Sequence, residues 1–141
     1  MSSSQAKLYI IDPLLAQLPV LLDVGRPGAD MTQRSEAALA ITLARSVERV
    51  HGGRLIEGRA IGYARTLSGN EIDFAPMPLR LGGTEVSSTP LESKWVSDGW
   101  RSEALVTEGR YGRGVLATKT ISDTSRAAWA IPAPIVCLLL G

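Results

Sequence analysis

The chain has 141 residues, 45% of them apolar, which is enough for one globular domain with a buried core and excludes a disordered polypeptide. Fifteen basic and fourteen acidic side chains give a net charge of +1, so binding to nucleic acid requires a local basic patch rather than an overall positive field. The single cysteine, Cys137, excludes an intrachain disulfide and a multi-cysteine zinc site, and it suits a reducing, cytoplasmic compartment. The start of the sequence lacks the pattern of a signal peptide, and the apolar stretch 131–140 is too short to span a bilayer, so we expect no membrane association.

Before residue 31 the sequence predicts a strand, a short helix and a loop. Residues 6–11 form a short apolar run typical of a strand, and Asp12-Pro13 is typical of a helix start. Glycine and proline between residues 23 and 30 indicate a loop. We interpret residues 1–30 as the end of a preceding region and residues 31–141 as the domain itself.

A long amphipathic helix is predicted over residues 31–51, with Asp30 or Thr32 as its cap. Its apolar residues recur at spacings of three and four, at Ala40, Leu43, Val47 and Val50. One turn earlier, the same stripe reaches Glu36. Taken alone, this acid is explained by the dipole at the helix N-terminus. Beside the acids described below, it becomes a candidate site residue.

Three strands follow this helix, and then a helix and further strands. The predicted elements are strands within 54–66, at 71–75 with an extension over 77–81 at a sheet edge, and at 91–96, a polar loop at 82–89, a helix at 99–111, strands at 115–118 and 129–131, and a closing helix or extended tail at 133–140. The turn at 67–70 makes the first two strands a hairpin. The order helix, strand, strand, strand, helix, strand predicts an α/β fold with a mixed sheet flanked by helices. The strands on either side of the second helix are expected to be parallel.

Two charged pairs stand out in these strands because each is spaced by two residues. Glu71 and Asp73 share one face of the second strand, and Glu92 and Lys94 share one face of the third. An aspartate and a glutamate that converge hold a hard divalent cation through oxygen, and a lysine beside them can position a water molecule or stabilise developing charge.

A purely structural interpretation of these charges is also open. In that interpretation Asp73–Lys94 and Glu71–Arg65 are ion pairs on a half-exposed sheet face. Glu71 in particular is either a further ligand or the partner of Arg65 across the hairpin.

The acids and the lysine occur in the order of a known superfamily. Asp73, Glu92-Ser93-Lys94 and Glu36 are similar to the second-strand aspartate, the third-strand ExK and the first-helix glutamate of PD-(D/E)xK nuclease-like domains. The chain more closely resembles the C-terminal domain, labelled DUF4143, of bacterial and archaeal AAA-type ATPases. That closer resemblance rests on residues 7–15, Glu36, 65–74 and 91–94. It implies a restriction-endonuclease-like αβββαβ core. The usual Glu-Val-Lys reads Glu-Ser-Lys here, which is a mild departure.

The superfamily resemblance implies metal-dependent hydrolysis of phosphodiester bonds in DNA. In that mechanism Asp73 and Glu92 bind Mg²⁺ or Mn²⁺, and Glu36 holds a second ion or a water of the first. Lys94 orients the attacking water or offsets charge on the phosphorus centre. Arg65 and Arg101 hold backbone phosphates.

The DUF4143 resemblance also implies a P-loop ATPase domain in the same polypeptide. The pattern G-x-x-x-x-G-K-[ST] is absent from this sequence, so we expect the chain to be a C-terminal piece of a longer ATPase. A second function, from a different class, is a non-catalytic module that binds nucleic acid or protein and regulates the attached ATPase.

Overall fold

The computed structural model describes residues 7, 9, 12, 15, 17–22, 25, 30–50, 61–65, 69–81 and 84–141. Its helices are α1 (Leu18–Leu21), α2 (Met31–Val50), α3 (Trp100–Tyr111) and α4 (Ala133–Leu140). Its strands are β1 (Ala64–Arg65), β2 (Glu71–Ile72), β3 (Phe74–Leu81), β4 (Thr84–Lys94), β5 (Gly114–Thr118) and β6 (Ala128–Pro132). Most of the strand predicted at 6–11 and the predicted strand residues 54–60 lie outside the described residues.

A mixed four-stranded sheet lies at the centre of the fold, in the order β3-β4-β5-β6. Strands β3 and β4 are antiparallel, whereas β4–β5 and β5–β6 are parallel. Helix α3 connects the parallel pair β4 and β5. Strands β1 and β2 form a separate antiparallel hairpin in which Ala64 pairs with Ile72. The mixed α/β architecture predicted from the element order is therefore confirmed.

Helix α2 begins at Met31, directly after Asp30, which the sequence indicates as a cap. The Asp30 carboxylate accepts a 2.8 Å hydrogen bond from the Gln33 backbone N–H, and the Asp30 N–H donates to Gln33 Oε1 at 3.2 Å. This reciprocal pair satisfies two donors at the start of the helix. The stripe that follows is buried at Leu39, Ala40, Leu43 and Val47. Glu36 lies one turn before Ala40, at the partly exposed end of this stripe.

Two apolar layers cover the two faces of the sheet. On one face, α2 and α4 pack on the strands through residues that include Leu39, Leu43, Phe74, Leu91, Val115 and Val136. On the other face, α3 packs through Trp100 and Ala104 on Leu116, Ala128 and Ala130. All five residues of β5 are buried, because this strand is covered on both faces and paired on both edges. Successive residues of β5, and of β4 from Leu91 to Lys94, therefore face α2 and α3 in turn.

The loop predicted at 82–89 is wrong from Thr84 onward, where the structure has a strand. Thr84 opens β4 and pairs with Leu81, and Val86 pairs with Leu79. Only two residues, both glycine, separate Leu81 from Thr84, and that spacing is typical of a two-residue hairpin. The polar composition of the stretch obscured this signal. The predicted extension of the preceding strand is confirmed, since β3 runs to Leu81 at the sheet edge.

Candidate functional site

Asp73 and Glu92 lie side by side where the β3–β4 ladder ends. Asp73 is at a bend between β2 and β3 rather than inside a continuous strand. Phe74 pairs with Leu91 in the antiparallel ladder, so Asp73 and Glu92 occupy the next positions along it. The Ser93 backbone N–H donates a 2.9 Å hydrogen bond to Asp73 Oδ2. The ladder and this bond together fix the Asp73 carboxylate beside β4.

Three carboxylates converge on the ammonium group of Lys7. Its Nζ lies 3.1 Å from Glu36 Oε1 and 3.0 Å from Asp73 Oδ1, and it also contacts Glu71 Oε1. The Tyr9 hydroxyl donates a 2.6 Å hydrogen bond to the same oxygen of Glu36. The structure thus links Glu36 and Asp73 through the Lys7 ammonium group. A positively charged side chain lies between them.

Burial and the contacts around Lys7 shift the pKa values of Lys7, Glu71 and Asp73. Burial alone would lower the pKa of Lys7, but its hydrogen bonds to Glu71 and Asp73 outweigh burial and raise that pKa well above its usual value. The bond from Lys7 holds the pKa of Glu71 below its usual range. Burial raises the pKa of Asp73, the negative charge of Glu36 adds to the rise, and the bonds from Ser93 and Lys7 oppose it. Lys7 therefore stays charged throughout the physiological pH range.

A second ion pair, with a buried carboxylate and a half-buried lysine, lies against α3. Glu92 is only 3% exposed. Its Oε2 accepts a 3.0 Å hydrogen bond from the Thr107 hydroxyl, and its Oε1 lies 3.0 Å from Lys94 Nζ. Lys94 also pairs with Glu103 at 3.2 Å. Lys94 is thus bound to Glu92 and Glu103, and not to Asp73 as the ion-pair interpretation supposed.

The electrostatics of this pair follow from burial and charge. Burial raises the pKa of Glu92, and the charge of Lys94 works against that rise. The charge of Asp73 also contributes to the rise, as expected for neighbouring carboxylates. Burial would lower the pKa of Lys94, but the charges of Glu92 and Glu103 and the hydrogen bonds to them together outweigh burial and raise it. Lys94 therefore carries a positive charge beside Glu92.

The two arginines predicted to hold phosphates lie in different surroundings. Arg65 Nη2 lies 3.1 Å from Glu71 Oε2, so Glu71 is the partner of Arg65 across the hairpin as well as a contact of Lys7. Arg101 is 72% exposed and lies 3.7 Å from Asp123. It lines a cavity of about 410 Å³ at the start of α3, together with Ser97, Asp98, Gly99, Trp100 and Ile121. Only Arg65 is joined to the acidic cluster by these contacts.

Sequence reasoning missed Lys7 and Tyr9 as members of the site. Both belong to the resembling stretch 7–15, but no role was assigned to either side chain. Their spacing of two places them on one face of an extended segment, which is the same signal that singled out Glu71 and Asp73. That face meets Glu36 in the structure.

Carboxylate oxygens are the ligands that Mg²⁺ and Mn²⁺ prefer, and in this structure oxygens of Glu36, Glu71 and Asp73 contact the Lys7 ammonium. Within the described ranges, no three Asp, Glu, His or Cys side chains are grouped so as to hold a metal ion directly. The acids are arranged around an ammonium group, and Glu92 is bound to Lys94 and Thr107.

No protein-family model, curated protein or solved structure matches this chain. In the part of the chain that the structure describes, every helix is too short or too polar to cross a lipid bilayer.

Proposed function

We propose that the chain is a nuclease-like domain of a larger, cytoplasmic AAA-type ATPase and that it hydrolyses phosphodiester bonds of DNA with Mg²⁺ or Mn²⁺. The observation that supports this proposal is the position of two groups of charged residues near the end of the β3–β4 ladder, with Glu92 and Lys94 on the α3 side and Glu36 on α2. Asp73 and Glu92 lie side by side with Lys94 next to them, and Glu36 of α2 is joined to Asp73 through Lys7. Surface ion pairs alone would not explain why four charged residues occur in the order of a nuclease motif.

The residues of the chain have distinct roles in this proposal. Asp73 and Glu92 would hold the cation, and Glu36 would hold a second ion or a water molecule. When bound, the cation supplies positive charge that makes water more acidic and offsets charge on the phosphate oxygens. Lys94 keeps its positive charge beside Glu92, where it orients the attacking water or stabilises charge that develops on the phosphate.

Backbone phosphates of the DNA require positive charge near this site. Arg65 is exposed on the hairpin that carries Glu71, and Arg101 is exposed at the start of α3. Contacts of this kind position nucleic acid without reading its sequence. Binding should therefore weaken steeply as salt concentration rises.

The second function, a non-catalytic module that regulates the ATPase by binding nucleic acid or protein, is favoured by one observation. Lys7 neutralises part of the acidic cluster from within the chain. A nuclease fold that has lost catalysis has no need to keep that cluster open for a metal ion. In this case DNA binding would proceed without divalent cations and without cleavage.

The test incubates the protein with single-stranded, duplex and branched DNA in Mn²⁺, Mg²⁺ or EDTA. The site variants are Glu92→Gln, which keeps the shape of the side chain, and Lys94→Met. The matched control is Lys119→Met, which makes the same change at an exposed lysine. We expect cleavage in Mn²⁺ or Mg²⁺ by the wild type and by Lys119→Met. We expect a loss of at least about 100-fold in both site variants, the scale on which removal of one charge-stabilising group acts.

Each outcome separates the two functions. Cleavage that persists unchanged in Glu92→Gln and Lys94→Met, with folding checked by circular dichroism, would contradict the proposed site. DNA binding by the wild type without cleavage under any condition would replace the nuclease with the regulatory module.

A further inference from the structure

We propose that Arg110, together with Arg65, forms a phosphate-binding surface that holds the backbone of DNA beside the acidic site. Arg110 lies in the last turn of α3, and Arg65 lies on the hairpin that carries Glu71. The inference deepens the proposed function and rests on it for the choice of DNA as the ligand. Binding of DNA through these arginines can nevertheless be measured in EDTA, without any cleavage.

The structure brings these two arginines together from distant parts of the chain. Arg110 Nη1 donates a 3.0 Å hydrogen bond to the backbone carbonyl of Arg65, across 45 residues. The guanidinium carbon of Arg110 lies 5.5 Å from the ring centre of Tyr111, within the range of a cation–π interaction. Tyr111 in turn packs on the apolar cluster of the hairpin, which contains Ala64 and Ile72. These contacts hold the Arg110 guanidinium against the hairpin.

Arg110 differs from the two arginines that the sequence indicates in lacking an acidic partner among the described residues. Arg65 lies 3.1 Å from Glu71, and Arg101 lies 3.7 Å from Asp123. Arg110 is exposed, and no carboxylate of the described ranges forms an ion pair with it. Its Nη1 is bound to the Arg65 carbonyl, which leaves Nε and Nη2 as charged donors for a phosphate oxygen.

The charges around Arg110 favour an anion. Arg113 follows three residues later and is also exposed, and no acid occurs between residues 109 and 122. The whole chain has a net charge of only +1, so a nucleic acid must bind where positive side chains are grouped. The surface adjoins the acidic site, because Arg65 pairs with Glu71 and Glu71 also contacts Lys7. The acids of the site would repel a phosphate, and an arginine without an acidic partner at its border offsets that repulsion.

Arg49 is the matched control, because it has the same structural role without a neighbouring arginine at its acceptor. It lies in the last turn of α2, and its Nη2 donates a 2.8 Å hydrogen bond to the Leu140 carbonyl. Arg49 and Arg110 both place a positive charge at a helix C-terminus, where the dipole favours it. Along α2, Arg49 lies roughly 20 Å beyond Glu36 at the rise of an α-helix. If Arg110 were only structural, substitutions of the two arginines would act alike.

The test measures binding of a fluorescein-labelled DNA duplex by fluorescence anisotropy in EDTA, between about 50 and 200 mM salt. It compares the wild type with Arg110→Gln, Arg110→Lys and Arg49→Gln. Loss of one phosphate contact lowers the slope of log K against log salt by about 0.9, which corresponds to about eightfold weaker binding at about 0.1 M salt. We expect this loss in Arg110→Gln. Arg110→Lys should keep the slope because it keeps the charge, and Arg49→Gln should bind as the wild type does.

The outcomes for this inference and for the nuclease are distinct. No DNA binding by the wild type, an unchanged slope in Arg110→Gln, or an equal loss in Arg110→Lys or Arg49→Gln overturns the inference. Binding that depends on Arg110, without cleavage in Mn²⁺ or Mg²⁺, keeps the inference and overturns the nuclease. Cleavage together with binding that does not depend on Arg110 does the reverse.

A second variant covers the case in which Arg110→Gln does not fold. Arg110→Ala then replaces it, because alanine has the highest helix propensity and also removes the charge. Failure of both variants to fold overturns the inference, since it would make Arg110 a residue of the folded structure rather than of the DNA-binding surface.

Discussion

Replacing Thr107 by valine tests whether the buried carboxylate of Glu92 depends on its hydrogen bond from α3. Thr107 is fully buried, and its hydroxyl donates a 3.0 Å bond to Glu92 Oε2. Valine has nearly the same shape and lacks the hydroxyl, so the change removes this bond with little repacking. The other oxygen of Glu92 keeps Lys94. The variant therefore isolates one contact of the site.

The expected loss of stability follows from the charge and burial of the acceptor. A hydrogen bond to a charged group contributes about 1.5–3 kcal/mol, and its loss leaves a carboxylate oxygen unpaired in the interior. We expect Thr107→Val to lower the free energy of unfolding by about 1.5–3 kcal/mol. The pKa of Glu92 should also rise further above its usual value, because the Thr107 bond is one of the contacts that oppose the rise.

Thr89→Val is the matched control for this prediction. Thr89 is 4% exposed in β4, and its hydroxyl has no hydrogen-bond partner among the described residues. The same chemical change there removes a buried polar atom without breaking a bond. We expect Thr89→Val to be neutral or to stabilise the fold by up to about 1 kcal/mol.

Urea unfolding followed by tryptophan fluorescence measures both variants, with equal m-values as evidence that only the stability changed. For a chain of this size, the loss in Thr107→Val corresponds to a fall in melting temperature of roughly 5–10 °C. Equal losses in the two variants, or an unchanged Thr107→Val, would show that Glu92 does not rely on this bond.

Two further predictions concern α3. Gly114→Ala would place a methyl group well inside van der Waals contact with Thr107 Cγ2, so we expect a loss of about 1–3 kcal/mol, whereas Gly109→Ala fills open space on α3 and should stabilise the fold by about 0.4–1 kcal/mol. Thermal unfolding compares the pair, and equal melting temperatures would contradict this packing. Hydrogen bonds from Arg126, at 2.5 and 3.0 Å, hold the pKa of Glu108 below its usual range. The resulting stabilisation is complete above the unfolded pKa of about 4.3 and is lost as pH falls through the lower folded-state pKa. In urea titrations, the stability difference between the wild type and Glu108→Gln should therefore shrink as the pH falls from about 7 to about 3. A stability difference that does not depend on pH would refute the stabilising role of the Arg126–Glu108 contact.

The fold from residue 31 onward could be predicted because its signals are local. Asp30 caps α2, an apolar stripe with helical spacing fixes its buried face, and the apolar run of β5 marks an interior strand. The start of β4 at Thr84 was missed because polar composition outweighed the spacing between the paired runs. Local pattern thus predicts an element well where periodicity and composition agree.

The candidate site could be predicted only in part, because periodicity gives the face of a side chain and not its distance from another element. The within-strand pair Glu92–Lys94 follows directly from a spacing of two. The contacts of Lys94 with Glu103 and of Lys7 with Asp73 depend on how separate segments dock. Such long-range contacts have no local signal in a single sequence.

The position of Lys7 has a consequence for where the functional unit begins. We interpreted residues 1–30 as the end of a preceding region, yet Lys7 and Tyr9 from that stretch bind Glu36. Proteolytic cleavage at residue 30 would spare every helix and strand from α2 onward and would remove the ammonium group from among the acids. The released fragment would carry the proposed ligands without their internal counter-ion. A protease acting near residue 30 would thus change the charge of the site without cutting any strand of the four-stranded sheet.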